Sequence, residues 1–546
     1  MSSVGDALLD QLADHGVRVC FGVPGVHNLP FWVGAGVGRR PRVVGVRHEQ
    51  AAGYAADAAA RVTGSLGVAL TTTGPGFANA LAAFGEAYAS FSPLLLISSE
   101  TPIATRRTSG HDDGLLHGMR SQADVITHGF GAAAVSARTA QEALEALPRL
   151  AAQVLATGRP AYLGVPADIL ASDWSAPNPP PLAVPRAAPD PAAVEALAAA
   201  VAGRRVAIWL GARAVAAESG VRRLAERLGA LVVPTYQARG MLAGYAGTSV
   251  APPHEPRVAD AIASCDVLLV IGDDLHGMTT RNWRMSLPPT LVAITDDVDA
   301  SLGDYTFEVR VVSDVPLALS ALLDALGDRA GGGATTDGPD ARGLTSAVTA
   351  DIAADPRTAA AAAFVRTVEE GWGDEGALVL DMCVAGYWLG GYSCQPRPRR
   401  LVYPVGWGTL GFGLPAAIGP AALGIPTLAV VGDGGAAMAI GELATYAQER
   451  LPLALLVVSD GGYGMLRYDQ AVAGDPHRGV DLVEPRWEDL ASAYGVTFVR
   501  TDDPGAGLAR ALTRARDGLT CGERTMIVLE QAFHPPRTTS PRWREA

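Results

Sequence analysis

Residues 428–465 read LAVVGDGGAAMAIGELATYAQERLPLALLVVSDGGYGM. An apolar strand runs into the turn Gly432-Asp433-Gly434-Gly435, and a helix over roughly residues 438–450 follows. A second apolar strand then ends in Ser459-Asp460-Gly461-Gly462. A right-handed crossover between parallel strands places both strand ends at one edge of the sheet, where ligands of such folds bind. We therefore predict a parallel α/β sheet with a ligand site at these two strand ends.

The two turns carry groups that suit a metal ion and a phosphate. Glycines let backbone N–H groups approach a phosphate, and a helix N-terminus favours negative charge. Asp433 and Asp460 would lie side by side above the sheet. Two carboxylates and diphosphate oxygens together make an octahedral Mg²⁺ site. The alternative is that Gly-Asp-Gly only turns the chain after a strand, and the tripeptide alone leaves that alternative open.

The rest of the chain repeats the strand-then-helix pattern. Apolar runs such as GVALTTT, VLLVIGDD and LALLVVSDGG end in Gly, Ser, Thr or Asp, and alanine-rich helical stretches follow them. This pattern predicts an α/β fold of three doubly wound parallel-sheet domains. Proline-rich residues 175–192 and glycine-rich residues 328–343 read as exposed linkers. The expected domains are therefore residues 1–175, 186–328 and 344–546.

Bulk composition excludes several classes of protein. A length of 546 residues predicts three or four domains at ~150 residues each. A formal charge of −13 argues against a nucleic-acid partner or an anionic membrane. The apolar runs are of strand length, too short to span a membrane. Five scattered cysteines and an N-terminus that does not resemble a signal peptide favour a cytoplasmic protein with reduced thiols.

Two further segments stand out. Residues 43–64 read VVGVRHEQAAGYAADAAARVTG, so a strand leads through Glu49 into a helix of small residues. A lone glutamate at such a junction is most often a helix cap or a surface residue. Residues 406–419 read GWGTLGFGLPAAIG, which is a glycine-rich start of a helix with close backbone packing.

These segments together resemble thiamine-diphosphate-dependent enzymes, in particular the acetolactate synthase large subunit and the benzoylformate decarboxylase-like group. The resemblance covers nearly the whole chain, including CFGVPGVHNLP, LTTTGPGFAN and VEPRWEDLASAYG. It implies pyrimidine-binding, central and diphosphate-binding domains, in that order. It also implies Mg²⁺ bound by Asp433, Asp460 and the carbonyl of Gly462. Asp460 is a departure, because the family's usual ligand at that position is Asn.

The resemblance also implies roles toward the cofactor. Glu49 would hydrogen-bond N1′ of the aminopyrimidine, and the alanines beside it would permit its burial. The carbonyl of Gly408 would accept from the 4′-amino group, and Leu410 would force the cofactor into its bent shape. The implied cofactor-binding residues are Gly408, Leu410, Gly432, Asp433, Gly434, Gly435, Asp460, Gly462 and Tyr463. Because Glu49 and the metal motif usually meet across a subunit interface, we expect a homodimer or homotetramer.

The implied reaction begins with decarboxylation of a small 2-oxo acid. Similarity to acetolactate synthase favours a carboligase, in which the carbanion–enamine is transferred to a carbonyl acceptor. The alternative is a simple decarboxylase that releases an aldehyde. A third alternative is a subunit that binds thiamine diphosphate without catalysis. The presence of Glu49 argues against it, because this carboxylate is needed more for turnover than for cofactor binding. A dinucleotide-binding protein is disfavoured because the GDGG turn lacks GxGxxG.

Departures from both groups limit the comparison. Thr72 and Val26 stand where benzoylformate decarboxylases carry their active-site His and Ser. Asp273 and Asp274 stand near the flavin-contacting Arg of acetolactate synthase, and carboxylates there would repel a flavin diphosphate, so FAD is doubtful. The polar candidates for the substrate pocket are His27, His117 and Gln122, and a further polar residue, His128, stands where acetolactate synthase carries a Lys. His27 is preferred as a catalytic residue, because it follows the FGVPG turn expected beside the thiazolium ring.

Overall fold

The computed structural model describes residues 2–105, 116–297, 302, 305–327 and 341–539. They form three α/β domains, each built on its own parallel sheet. The predicted fold class is therefore confirmed. Buried apolar clusters lie on both faces of each sheet, which accounts for strands that are apolar on both sides.

The N-terminal domain contains a six-stranded parallel sheet with the order β3-β2-β4-β5-β7-β6, and β1 pairs antiparallel with β8. Its strands are β1 (Ser2–Ser3), β2 (Val19–Gly22), β3 (Arg42–Gly45), β4 (Gly67–Thr71), β5 (Leu94–Glu100), β6 (Ala134–Ser136), β7 (Ala161–Pro166) and β8 (Asp173–Trp174). Its helices are α1 (Val4–Asp14), α2 (Leu29–Gly34), α3 (Glu49–Thr63), α4 (Pro75–Asn79), α5 (Leu81–Ala89), α6 (Gln122–Phe130), α7 (Ala140–Thr157) and α8 (Ala167–Ala171).

The central domain has five parallel strands in the order β10-β9-β11-β12-β13. The strands are β9 (Val206–Leu210), β10 (Leu231–Pro234), β11 (Val267–Ile271), β12 (Thr290–Thr295) and β13 (Val309–Val312). The helices are α9 (Pro191–Val201), α10 (Glu218–Leu228), α11 (Pro256–Ala263) and α12 (Val315–Leu326).

The C-terminal domain has six parallel strands in the order β15-β14-β16-β17-β19-β18. The strands are β14 (Ala377–Leu380), β15 (Leu401–Val402), β16 (Thr427–Gly432), β17 (Leu453–Ser459), β18 (Thr497–Thr501) and β19 (Thr525–Glu530). The helices are α13 (Ala341–Ala354), α14 (Ala359–Trp372), α15 (Val384–Tyr392), α16 (Gly413–Ala422), α17 (Asp433–Met438), α18 (Leu443–Glu449), α19 (Gly464–Ala473), α20 (Trp487–Ala493) and α21 (Ala506–Thr520).

The first and third sheets share one topology. Counting the six strands of each large sheet in chain order, both sheets run 2-1-3-4-6-5. Helix α3 of the N-terminal domain packs along α16 of the C-terminal domain, and a β-carbon on Gly419 of α16 would overlap the backbone of Ala55 in α3. This close approach of two helices joins the two domains through small residues.

One local expectation is wrong. The crossover after Gly432 was predicted as a helix over residues 438–450, but α17 begins at Asp433 and ends at Met438. A 3-10 turn over Ile440–Glu442 separates it from α18. Glu442 ends this turn and is buried, and its carboxylate accepts from the backbone N–H of Arg47 at 2.9 Å.

The first predicted linker is exposed, as its composition indicates. Residues 175–190 have no helix or strand and are mostly exposed, whereas most of the 328–343 segment lies outside the described residues. The expected domain boundaries remain predictions. All five cysteines have free thiols. Among the described helices, none combines the length and the apolar character that a membrane crossing needs.

Candidate active site

Asp433 is the first residue of α17, directly after β16, and it is 3% exposed. Its Oδ1 accepts from the N–H of Gly434 at 2.8 Å. Its Oδ2 accepts from the N–H groups of Gly461 and Gly462 at 2.7 and 2.9 Å. Burial and the nearby Glu484 raise the pKa of the Asp433 carboxyl. This one carboxylate therefore ties together the two turns that the sequence singled out.

Asp460 follows β17, which pairs directly with β16 through Gly432 and Val458. Burial and the neighbouring Asp433 raise the pKa of Asp460 to about 6, although Arg467 opposes the rise. The guanidinium of Arg467 forms an ion pair with the Asp460 carboxylate. The two negatively charged carboxylates therefore repel each other at the ends of neighbouring strands. A divalent cation bound between them would relieve this repulsion.

A cleft of about 700 Å³ opens at these turns. Its lining includes eight of the nine residues implied in cofactor binding, namely Leu410, Gly432, Asp433, Gly434, Gly435, Asp460, Gly462 and Tyr463. The ninth, Gly408, is close by, since a β-carbon there would lie 3.8 Å from Cε of Met382, which lines the cleft. The donor set fits a metal-bound diphosphate, because hard carboxylate oxygens and glycine N–H groups share one cleft.

The protein itself offers few metal ligands. In the described ranges no group of three or more His, Cys, Asp or Glu side chains could hold a metal ion. Asp433 and Asp460 could therefore hold a metal ion only as a pair, together with further oxygens from outside these side chains. A backbone carbonyl and diphosphate oxygens would complete six-fold coordination of Mg²⁺.

The loop over residues 406–412 lies between β15 and α16. Gly408 and Gly411 have φ of 76° and 72°, so both positions favour glycine. The N–H groups of Gly411 and Gly413 donate to Oδ1 and Oδ2 of Asp381 at 3.1 and 3.2 Å. Burial raises the pKa of Asp381 to about 6. Leu410 projects from this fixed loop into the cleft and is 37% exposed.

Glu49 is the first residue of α3 in the N-terminal domain and is 8% exposed. Its Oε2 accepts from Nδ2 of Asn79 at 3.0 Å. A β-carbon on Gly76 would lie 3.1 Å from Oε1, so a glycine keeps that side of the carboxylate open. The cleft around Asp433 is lined by residues between Met382 and Phe533, and Glu49 is not among them. Within the described part of one chain, the structure does not bring Glu49 into the same cleft as the two aspartates.

His27 lies in the N-terminal domain beside two other polar groups. Its Nδ1 is 2.9 Å from Oγ1 of Thr73, and its ring meets that of His117 edge-on at 6.0 Å between centroids. Burial and the neighbouring His117 lower the pKa of His27. The pKa shift keeps the ring neutral at pH 7, so it can accept a proton or a hydrogen bond.

The other two polar candidates are placed differently. Gln122 is buried, accepting from Oγ of Ser98 at 3.2 Å and donating to the carbonyl of Ser99 at 3.4 Å. His128 is exposed in the last turn of α6, with Nδ1 3.0 Å from the carbonyl of Asp124. Gln122 therefore binds the C-terminal end of β5 through Ser98 and Ser99, and His128 belongs to the surface.

The central domain carries the two aspartates that made FAD doubtful. Asp273 accepts from Nε1 of Trp209 at 3.0 Å and from the N–H of Leu275 at 2.8 Å. Burial and Asp274 raise the pKa of Asp273. Both aspartates line a cleft of about 430 Å³ that also reaches Gly272 and His276. The absence of FAD remains a prediction.

Sequence reasoning missed several residues that support this site. Asp381 could have been found, because LVLDM is another apolar strand that ends in Asp. Asn79, Glu86 and Arg467 gave no such signal. Their contacts to Glu49, to the 406–410 segment and to Asp460 depend on how side chains turn after folding.

Family comparison agrees with this geometry. Residues 2–125 match the thiamine pyrophosphate enzyme N-terminal TPP binding domain, where thiamine pyrophosphate (TPP) is another name for thiamine diphosphate. Residues 192–322 match the central domain of the same enzymes, and residues 381–528 match their C-terminal TPP binding domain. The chain therefore belongs to the thiamine pyrophosphate enzyme family, and the resemblance seen in the sequence is confirmed.

The related proteins fall into two groups, decarboxylases and acetolactate synthases. A probable 2-ketoarginine decarboxylase, AruI, of Pseudomonas aeruginosa is 35% identical over 92% of this chain and 90% of its own length. An alpha-keto-acid decarboxylase of Mycolicibacterium paratuberculosis is 29% identical over 91% of this chain and 88% of its own length. A probable acetolactate synthase large subunit of Methanocaldococcus jannaschii is 26% identical over 91% of this chain and 87% of its own length. The chain is an enzyme of the 2-oxo acid decarboxylase and acetolactate synthase family.

Proposed function

We propose that this enzyme uses thiamine diphosphate and Mg²⁺ to decarboxylate a small 2-oxo acid, releasing CO₂ and an aldehyde. The observation that carries the proposal is the carboxylate pair Asp433 and Asp460 in a glycine-lined cleft of a TPP-binding domain. Sequence reasoning put carboligation first. Similarity to a probable 2-ketoarginine decarboxylase at 35% identity, against 26% for an acetolactate synthase, favours simple decarboxylation.

Asp433, Asp460 and the carbonyl of Gly462 would hold Mg²⁺, and the glycine N–H groups at the start of α17 would meet the diphosphate. Three backbone N–H groups already fix the orientation of the Asp433 carboxylate. The metal would relieve the repulsion between two partly buried carboxylates, and the diphosphate would supply the remaining oxygens.

Bound thiamine diphosphate would supply the nucleophilic carbon that attacks the 2-oxo group and takes up the electrons when CO₂ leaves. Glu49 would hold a proton at N1′ of the pyrimidine ring, and the carbonyl of Gly408 would accept from its 4′-amino group. Leu410 would press the two rings of the cofactor together from its fixed place on the loop. These roles need the cofactor to lie between an N-terminal and a C-terminal domain.

We further propose that two chains form each site, as a homodimer or a dimer of dimers. Two observations support this proposal. Glu49 is not among the lining residues of the chain's own Asp433 cleft. Large apolar side chains are exposed in both TPP-binding domains, including Val26, Val33, Trp407 and Met438. Each Glu49 would then serve a cofactor held by the partner chain.

His27 is the proposed polar group on the substrate side. Its pKa is lowered, and Nδ1 is occupied by Thr73, so the other ring nitrogen remains available to the substrate. A neutral imidazole there would act as a base and accept the hydroxyl proton that is lost when the aldehyde is released. Similarity to a probable 2-ketoarginine decarboxylase makes a 2-oxo acid with a guanidino side chain one substrate to test.

Carboligation is the second candidate. Its support is the likeness to acetolactate synthases over nine-tenths of the chain. The two outcomes differ only in whether the decarboxylated fragment meets a proton or a second carbonyl group.

The experiment uses holoenzyme with Mg²⁺, thiamine diphosphate and a panel of 2-oxo acids with small, branched, aromatic and guanidino side chains. CO₂ release is followed, and products are identified by mass with and without an added aldehyde acceptor. Release of CO₂ with one aldehyde per substrate supports the proposal. A 2-hydroxy ketone or 2-hydroxy acid as the main product favours carboligation, and no CO₂ from any substrate rejects both.

A further inference from the structure

We propose that Glu86, a fully buried residue of α5 in the N-terminal domain, is the positioning residue that sets the cofactor-facing loop over residues 406–410. The inference rests on the proposed function, since that function gives Gly408 and Leu410 their roles. Glu86 does not line the Asp433 cleft and would act only through the loop.

One oxygen of Glu86 holds the loop directly. Oε2 accepts from the backbone N–H of Trp407 and from Oγ1 of Thr409, each at 3.2 Å. These two residues flank Gly408, and Thr409 precedes Leu410. A single carboxylate oxygen therefore fixes the backbone on both sides of Gly408.

The other oxygen of Glu86 is held by the N-terminal domain. Oε1 accepts from Oγ of Ser90 at 2.7 Å and from Nη2 of Arg61 at 3.2 Å. Arg61 also binds Asp57 at 2.8 and 2.6 Å and donates to the carbonyl of Tyr403 at 3.0 Å, just before the loop. Both oxygens of Glu86 are thus acceptors, and four donors converge on them.

This arrangement needs a carboxylate. An amide has one acceptor oxygen, and its NH₂ group has only donors. In Glu86→Gln one side of the residue would therefore present N–H groups either to Trp407 and Thr409 or to Arg61. Ser90 could rotate to accept, but a guanidinium cannot accept. The variant should keep the shape of the side chain. It should lose the hydrogen bonds either to Trp407 and Thr409 or to Arg61.

Shape as well as charge joins α5 to the loop. A β-carbon on Gly85 would overlap the ring of Trp407, so the indole lies directly on the helix backbone. The same ring contacts Phe130 edge-on at 6.0 Å between centroids. At the other end of the loop, Asp381 of the C-terminal domain holds Gly411 and Gly413. The loop is therefore held between two buried carboxylates, one from each domain.

The consequence concerns the shape of the bound cofactor. Loosening residues 407–409 would move the Gly408 carbonyl and the Leu410 side chain, and leave Asp433 and Asp460 in place. A displacement of about 1 Å at a reacting centre can cost on the order of 10²-fold in rate. Glu86→Gln should therefore lower kcat by about 10- to 100-fold with Mg²⁺ and thiamine diphosphate affinity unchanged.

Three variants test this role. Glu86→Gln removes the charge, Thr409→Val removes one donor without touching the buried charges, and Gly85→Ala displaces the indole of Trp407. The matched control is Glu255→Gln, another buried glutamate, which accepts from Tyr392 at 2.9 Å and lies outside the loop. Hydrogen exchange of peptides covering residues 402–412 is measured in the cofactor-free protein. Near-ultraviolet circular dichroism of the holoenzyme then reports the tautomer of the bound aminopyrimidine.

The inference predicts three changes in both Glu86→Gln and Thr409→Val. Hydrogen exchange in the loop becomes faster, the spectrum of the bound cofactor changes, and kcat falls. Glu255→Gln should behave like wild type in all three measurements. Wild-type exchange in the loop of Glu86→Gln overturns it. Faster exchange with an unaltered cofactor spectrum also overturns it, because the loop would then move without effect. An equal loss in Glu255→Gln would show a general loss of packing instead. Because exchange is measured without substrate, failure of the proposed decarboxylation would be seen separately, as absence of CO₂ from wild type.

Discussion

Arg467 donates to both the carboxylate and the backbone carbonyl oxygen of Asp460, the latter at 2.6 Å. If Asp460 takes the place of the neutral Asn that usually ligates the metal in this family, as the sequence resemblance implies, it would bring one additional negative charge to the site. The guanidinium offsets that charge from a position seven residues further along the chain, on α19. Asp460 and Arg467 together have a net charge of zero, which is also the charge of an Asn side chain.

Asp460→Asn should remain active and bind thiamine diphosphate at lower Mg²⁺, because a negative charge beside the diphosphate is removed while Arg467 stays. Asp460→Ala should lose a metal ligand and require far more Mg²⁺. The measurement is a Mg²⁺ titration of activity at fixed thiamine diphosphate for wild type and both variants. If Asp460→Ala titrates like wild type, Asp460 is not a ligand.

Arg467→Met keeps the apolar stem of the side chain and removes its charge. Thiamine diphosphate should then bind more weakly at low Mg²⁺, because Asp460 would repel the diphosphate without compensation. Binding is measured by calorimetry at several fixed Mg²⁺ concentrations. Arg257→Met is the control, since Arg257 forms an exposed ion pair with Asp351 away from the cleft. Equal binding by both variants at every Mg²⁺ concentration would contradict the charge-compensation argument.

Glu49→Gln should keep the fold and the cofactor but lose most turnover. The amide can still accept from Asn79, yet it cannot hold a proton at N1′ of the pyrimidine ring. Proton transfer of this kind is typically worth ~10²–10⁴-fold in rate. Decarboxylation is measured at saturating cofactor, and cofactor binding is measured separately. A variant as fast as wild type would show that Glu49 has another role.

The fold was predictable where local pattern decides it. Apolar strands that end in Gly or Asp mark the edge of a parallel sheet, and β16 and β17 end as the pattern predicts. The break between α17 and α18 was not predictable. Alanine-rich sequence on both sides of the break favours helix, and Gly441 alone is weak evidence against it. The contact of Glu442 with the backbone of Arg47, 395 residues away in the sequence, has no signal in the local pattern.

The candidate site divides in the same way. Asp433 and Asp460 follow neighbouring strands, so βαβ geometry alone predicts that they meet. Glu86 holds a loop 321 residues away, and no spacing rule connects an α5 carboxylate with Trp407. Arg467 is near Asp460 in sequence, but the pattern does not determine which way its long side chain turns. Contacts between domains and side-chain rotamers are therefore the features of the site that the sequence pattern does not predict.

Purified protein should show no flavin absorption in the visible band at about 450 nm. FAD binding would require a site that accepts the flavin diphosphate. Asp273 and Asp274 line the central-domain cleft, and both residues are partly buried. The diphosphate of a flavin bound there would be repelled by the negative charge of these carboxylates, in surroundings of low dielectric constant. Absorption spectra and extraction of cofactors test this expectation. Stoichiometric FAD would contradict it and favour an acetolactate synthase.

Acid should destabilise the protein through His254, which is fully buried and has Nε2 3.0 Å from the carbonyl of Thr538. Burial lowers the pKa of His254 to about 3. The unfolded chain, with an ordinary histidine pKa of about 6.5, therefore binds the proton first as the pH falls. Stability is then lost from about pH 6.5 down to about pH 3, at up to ~1.4 kcal/mol per pH unit for this one group.

His254→Gln keeps a donor for the Thr538 carbonyl but cannot titrate, so its free energy of unfolding should fall less between pH 7 and pH 5 than that of wild type. The measurement is urea denaturation of both cofactor-free proteins at the two pH values, since bound ligand would itself shift stability. His128→Gln, at an exposed position on α6, is the control and should behave like wild type. If wild type and His254→Gln lose the same free energy on acidification, His254 is not the group that senses the pH.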